Sequence, residues 1–145
     1  MVVGGLPVPR SEHAEAIARM ALDMQKVIAQ FNAEQAQHNS HSTQALKIRI
    51  GINTGPVVAG VIGVKKFIYD LWGDTVNIAS RMESHGIAGY IQVSEATYEH
   101  LKENFRFKPR GAIEVKGKGE MLTYILIGPQ LKKLAAPQEV TSSQR

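Results

Sequence analysis

The chain contains no cysteine, which excludes disulfide frameworks and thiolate metal centres and suits a reducing compartment. Aromatic residues are scarce, at 6% of 145 residues with a single Trp. Nucleic-acid binders tend to interleave aromatics with a dense basic stripe. Here the formal charge is only +4 and the Lys and Arg residues are scattered, so no nucleic-acid partner is expected. No apolar run approaches the roughly 20 residues that cross a bilayer, because the longest are broken by Gly or charge. The first residues, Met1-Val2-Val3-Gly4-Gly5-Leu6-Pro7, lack the basic region and apolar segment of a secretory signal. A cytoplasmic location is therefore expected, with no membrane segment in this chain, although a longer protein could be membrane-attached. What is present suffices for one domain: 43% of residues are hydrophobic. The modest basic excess (pI about 9.4) also suits a protein that meets nucleotide phosphates.

The apolar periodicity divides the chain into mixed elements. Met1 to Gly5 reads as the end of an apolar strand meeting a turn, with no strand before it to pair with, so the domain either begins abruptly or lacks something upstream. Ser11 is a plausible N-cap for a helix whose apolar positions Ala14, Ile17, Ala21, Met24, Ile28 and Phe31 are spaced by three and four. That single stripe predicts a surface helix lying on a sheet. Gln35 to Gln44 is polar and predicts a loop; His38 and His41 are three apart but lack the third ligand and fixed geometry of a zinc site. Leu46 to Ile52 alternates strictly and is the clearest strand. Gly55, Ala59, Gly60 and Gly63 suggest close backbone approach, but their spacing matches neither a P-loop nor a dinucleotide fingerprint. A short strand over 87–93, a helix over 95–103 capped by Ser94, alternating residues from Phe105 to Val115 and a last strand over 121–127 follow. The expected fold is α+β, a sandwich of mainly antiparallel strands with its helices on one face. Residues 129–145 are polar and aperiodic and are expected to form a disordered tail.

One stretch carries polar groups that core packing does not require. Phe67 to Trp72 has the composition of a strand interrupted by Asp70; Gly73 breaks it, and Asp74 or Thr75 can cap the helix that follows. On that helix Asn77 and Arg81 lie one turn apart on one face, while Val76, Ala79 and Met82 can pack on the other. With Lys116 in the glycine-containing loop Lys116-Gly117-Lys118-Gly119, these groups suit an anionic ligand with a polar head: Arg81 as a planar fork, Lys116 as a point charge. Asp70 could accept from an exocyclic amine or bind a metal. The bland alternative pairs Arg81 with Glu83 or Asp74, leaves Asn77 as a local cap and leaves Asp70 solvated.

The run Tyr69-Asp70-Leu71-Trp72-Gly73-Asp74-Thr75-Val76-Asn77-Ile78-Ala79-Ser80-Arg81-Met82-Glu83 resembles the signature of class III adenylate and guanylate cyclase catalytic domains. The likeness extends to Ile50-Gly51-Ile52-Asn53-Thr54-Gly55, Ala59-Gly60-Val61-Ile62-Gly63, Ile91-Gln92-Val93-Ser94 and Val115-Lys116-Gly117-Lys118-Gly119, and covers roughly residues 1–127. The resemblance implies an incomplete ferredoxin-like sandwich over residues 1–128 that works as a head-to-tail dimer, homodimeric or with another cyclase domain, with the site across the interface. It implies an adenylate cyclase that converts ATP to 3′,5′-cyclic AMP and pyrophosphate in signal transduction. Asn77 would orient the ribose, Arg81 would stabilise the developing charge, and Lys116 would hold the terminal phosphates. Asp70 falls at the base-selecting position. An ionised carboxylate there accepts from the adenine amino group and repels the guanine O6, whereas guanylate cyclases typically carry a smaller non-acidic residue; Asp70 therefore points to ATP, with guanylate cyclase as the alternative.

The departure from the family pattern is large. Its two metal-binding aspartates and a second base-selecting lysine lie before the Met-Val-Val-Gly-Gly segment, and the only aspartates here are Asp23, Asp70 and Asp74. Mg²⁺ or Mn²⁺ is implied as cofactor, with no metal ligands in this chain and the carboxylates expected from an absent N-terminal part or from a partner. Two expectations follow: a cyclase whose N-terminal part is absent, or a non-catalytic, regulatory partner half that joins a metal-competent cyclase. Either way the chain alone is expected to be inactive.

Overall fold

The computed structural model describes residues 1–5, 12–38, 45–56, 58–59, 71–72 and 74–130. Its elements, in chain order, are α1 (His13–His38), β1 (Ile50–Ile52), β2 (Val58–Ala59), β3 (Leu71–Trp72), α2 (Asp74–Ser84), β4 (Ile91–Ser94), α3 (Glu95–Leu101), β5 (Phe105–Val115) and β6 (Gly119–Pro129). The main sheet runs β1-β4-β6-β5; β1 and β4 are parallel, and the other pairings are antiparallel. β2 and β3 form a separate antiparallel pair. This is the expected α+β class, with a mixed sheet.

Alternation along the strands sends successive side chains to opposite faces, and the two faces of this sheet receive different helices. Ile52, Ile91, Val93 and Leu126 pack with Ala14, Ala18 and Ala21 of α1 and with Leu101 of α3 in one core. The residues between them, Gly51 and Gln92, face α2 instead. The expectation of helices on one face is therefore corrected. An apolar stripe shows that a helix has a buried side, but not which side of a sheet it seeks. Met82, fully buried, is the apolar anchor of α2; burying such a side chain contributes about 1.5–3 kcal/mol.

Only the first half of α1 is covered as its stripe predicts. Ala14, Ala18 and Ala21 are buried and Ile17 is partly so, but Met24 and Phe31 are exposed, as are Met20 and Val27 beside them. The helix also runs on to His38, into the stretch expected to be a loop. His41 and Ser11 lie outside the described residues, as do 131–145 of the expected tail. The chain is still tied down at residue 130: the Gln130 backbone N–H donates to the Asn104 carbonyl (2.9 Å) and its side-chain amide to the Phe105 carbonyl (3.1 Å).

The strand expected over Leu46–Ile52 is reduced to Ile50–Ile52. The cause is local. The Asn32 side-chain amide donates to the Leu46 carbonyl and accepts from the Leu46 N–H, both at 2.8 Å, so the backbone of Leu46 is satisfied by α1 and not by a ladder. Nor do Met1 to Val3 form a strand; Gly4 and Gly5 bend against His13.

Gly51 is the point of closest approach between sheet and α2. A Cβ at that position would lie 2.1 Å from the Glu83 nitrogen and 2.6 Å from the Met82 carbonyl carbon, both backbone atoms that cannot rotate away. Gly51→Ala should therefore destabilise the chain by about 1–3 kcal/mol or more. A urea titration will show this as a lowered midpoint; an unchanged midpoint would mean that α2 is not seated as described.

Candidate active site

The helix α2 presents Asp74, Asn77 and Arg81 along one face, spaced by three and four residues, and it is fastened at both ends. At its start, the Asn53 amide donates to the Thr75 carbonyl (3.0 Å), and Thr75 Oγ1 donates to the Pro56 carbonyl (2.5 Å). Asn53 Oδ1 in turn accepts from the buried Ser94 hydroxyl, which also caps α3 by accepting from the Thr97 N–H at 3.4 Å. Gly55 is needed beside Thr75, since a Cβ there would lie 2.7 Å from Thr75 Oγ1.

At the other end, carbonyls left without helical partners are met from the sheet. The fully buried Gln92 donates its amide to the Met82 carbonyl (3.1 Å). Its Oε1 accepts from Arg110, whose guanidinium also donates to the His85 carbonyl at 2.6 Å. Arg110 can do this because the β5–β6 register shifts between Pro109 and Gly111, a bulge that re-aims the intervening side chain. Arg49 pairs with Glu83 on the flank.

Opposite the free face of α2 lies the turn between β5 and β6. The Lys118 N–H donates to the Val115 carbonyl at 2.8 Å, and Gly117 and Gly119 take positive φ (83° and 77°), which a side chain would resist. The turn carries Lys116 and Lys118 to an open cleft of about 490 Å³ whose other wall is Asp74, Asn77, Ile78 and Arg81. Three of the four residues singled out in the sequence, Asn77, Arg81 and Lys116, thus line one cleft. The fourth, Asp70, lies outside the described residues.

The bland alternative for Arg81 is not what the structure shows. Glu83 is engaged by Arg49, and Asp74 by Lys118 at 2.5 Å. Among the described residues, the side chains of Arg81, Asn77 and Lys116 have no hydrogen-bond or ion-pair partner, and all three residues are exposed. A cleft holding an unengaged guanidinium, an ammonium and an amide suits a polyanion carrying hydroxyls. The other concavities suit it less: a space of about 120 Å³ beneath the N-terminal segment is lined largely by apolar residues such as Val3, Ile17, Ile52 and Ala79.

A divalent metal does not fit the described residues. They contain no group of three His, Asp or Glu able to hold an ion. Among the described residues that line the cleft, the single carboxylate, Asp74, already faces an ammonium.

A family model for the adenylate and guanylate cyclase catalytic domain matches residues 1–128. The chain belongs to this family. It is therefore a nucleotide cyclase catalytic domain, of a lyase family that makes cyclic nucleotides and typically uses divalent metal. It is 48% identical to an adenylate cyclase of Mycobacterium tuberculosis over 99% of its own length and 30% of that protein's. It is also 48% identical to the rat guanylate cyclase soluble subunit beta-2, over 88% of this chain and 18% of that one. Among solved structures, the adenylyl cyclase CyaB from P. aeruginosa matches with a TM-score of 0.75 at 30% identity, covering 88% of this chain and 66% of that chain. The chain thus spans under a third of these curated relatives. No helix among the described residues is long and apolar enough to cross a membrane.

Sequence reasoning did not single out Gly51, Asn53, Gln92 and Arg110, which seat α2 from behind, or Lys118, which lines the cleft. For Lys118 a signal existed, since it stands two residues from Lys116 in the same glycine-flanked turn. The others act through partners distant in sequence, and no local pattern marks them.

Proposed function

We propose that this chain supplies the ribose- and phosphate-facing part of an adenylate cyclase site, forming 3′,5′-cyclic AMP from ATP. In that reaction the ribose 3′-oxygen forms a bond to the α-phosphorus, the bond from that phosphorus to the bridging oxygen of the β-phosphate breaks, and pyrophosphate leaves while the 3′-hydroxyl proton is lost. The observation that carries the reading is the cleft in which Asn77, Arg81 and Lys116 stand unengaged while both nearby carboxylates are held by other cations.

The roles follow from the chemistry of each group. Asn77 offers an amide that both donates and accepts, as a ribose hydroxyl requires. Arg81, one turn further along, offers a planar fork to the charge that builds at the α-phosphate, and electrostatic stabilisation of that kind is worth about 10²–10³ in rate for one well-placed donor. Lys116, across the cleft, meets the terminal phosphates. Asp70 selects adenine by accepting from its amino group. The 48% match to an adenylate cyclase over nearly the whole chain supports ATP, although a guanylate cyclase is matched at equal identity over a shorter span.

The described residues offer no carboxylate cluster, so in this reading the metal ligands come from a preceding part of a longer protein or from a second cyclase domain. With ATP and Mg²⁺ or Mn²⁺, the chain alone should give no cyclic AMP above background. Mixed with a cyclase that retains its metal ligands but lacks its own arginine, it should restore synthesis, and Arg81→Ala should abolish the restoration, a loss of about 10²-fold or more. Cyclic AMP made by the chain alone, or rescue indifferent to Arg81, would contradict the assignment. In the restored assembly Asp70→Cys should lower the preference for ATP over GTP; an unchanged ratio would remove Asp70 from base selection.

A further inference from the structure

The cleft contains one charge that does not fit a phosphate site. Asp74 sits on the same face of α2 as Asn77 and Arg81, at the end nearest the β5–β6 turn, and its carboxylate is 2.5 Å from the Lys118 ammonium. A carboxylate beside incoming phosphates repels them, so its presence among Arg81, Lys116 and Lys118 calls for a reason. Both partners are largely solvated, Asp74 being 66% and Lys118 41% exposed in their side chains. An exposed ion pair of this kind is weak and readily exchanged, whereas an ammonium facing a phosphate makes a stronger, charge-assisted contact.

We propose that Asp74 is a releasable counter-ion for Lys118, holding that lysine at the mouth of the cleft until a polyphosphate displaces the carboxylate and takes Lys118 as a third cationic contact beside Arg81 and Lys116. This deepens the cyclase reading and rests on the phosphate-binding role given above to that cleft. Two features of the backbone support it. Lys118 and Lys116 share a tight turn whose backbone is fixed by the Val115 carbonyl, so both flexible side chains start from one anchored place beside the cleft. Asp74 lies in the first turn of α2, where the helix dipole stabilises its negative charge after Lys118 has left. The pair therefore separates without stranding either charge: the lysine passes to phosphate and the aspartate to the helix end and solvent.

The competing reading is a plain surface tether that pins the turn to α2, and the two readings differ in coupling. By charge alone Asp74→Asn tightens and Lys118→Met weakens phosphate binding in either reading. A tether leaves the Asp74→Asn gain the same whether residue 118 is Lys or Met, and that result overturns the counter-ion; a counter-ion makes the gain depend on Lys118. With inorganic tripolyphosphate as the probe and calorimetric titration of the full chain at low salt, Asp74→Asn should tighten binding by about two- to fivefold. Lys118→Met should weaken it, and the tightening should shrink when Lys118 is already Met. The gain should also fade in 1 M salt, where the Debye length falls to about 3 Å. Wild-type binding that is lost with Arg81→Ala and Lys116→Ala but is loosened or unmoved by Asp74→Asn overturns the counter-ion alone. No saturable binding by the wild type, or binding indifferent to Arg81 and Lys116, overturns the phosphate site and the counter-ion together.

Discussion

Everything in the cleft depends on how α2 sits on the sheet. Gly51 lets the helix backbone approach to a distance that no side chain would permit. Beneath it, the buried Gln92 meets the Met82 carbonyl on one side and Arg110 on the other. Losing either partner would leave a buried polar group unpaired, a penalty of about 1–3 kcal/mol. Met82 supplies the apolar contact, and Asn53 with Thr75 fixes the opposite end. With both ends held, the azimuth of the helix is set, and the face bearing Asp74, Asn77 and Arg81 has one direction left, toward the β5–β6 turn.

The turn completes the cleft through an unrelated constraint. Long β5 and β6 run from a base held by Phe105 and Leu126 to Val115, buried at the far end of β5, and the turn beyond it carries the exposed Lys116 and Lys118. Among the described residues, the cleft carries three cations and one carboxylate, which favours an anion of several charges. It is also a one-sided arrangement: among the described residues no carboxylate group stands ready for a metal. Under the function proposed here this face and turn would meet ribose and phosphate, with the metal ligands supplied by a preceding part of a longer protein or by a second domain.

The sequence made legible what is local. The spacing of Asn77 and Arg81 predicted a shared face, Ser94 announced the cap of α3, and the run Lys116-Gly117-Lys118-Gly119 predicted a loop between two strands; all are found. The Gly55 approach to Thr75 was anticipated in kind. What escaped depends on contacts between distant residues. Alternation in Leu46–Ile52 predicted a full strand, but Asn32, on another element, claims the backbone of Leu46. The apolar stripe of α1 ran past the point where the core ends, so Met24 and Phe31 are exposed. The placing of α2 on the opposite face from α1 and α3 rests on Gly51 and Gln92, residues whose neighbours in sequence say nothing of it. The pairings of Asp74 with Lys118 and Glu83 with Arg49, which free Arg81, could be enumerated from sequence but not chosen.

Under the function proposed here, the face of α2 and the β5–β6 turn act as one polyphosphate-binding cleft. Amide chemical-shift mapping of the full chain by NMR during an ATP titration tests it most directly. The largest perturbations should fall together on residues 74–81 and 115–118, with α1 and the buried strands β1 and β4 little changed. Perturbations confined to the exposed apolar side of α1 around Met24 and Val27, or to one wall of the cleft without the other, would contradict it.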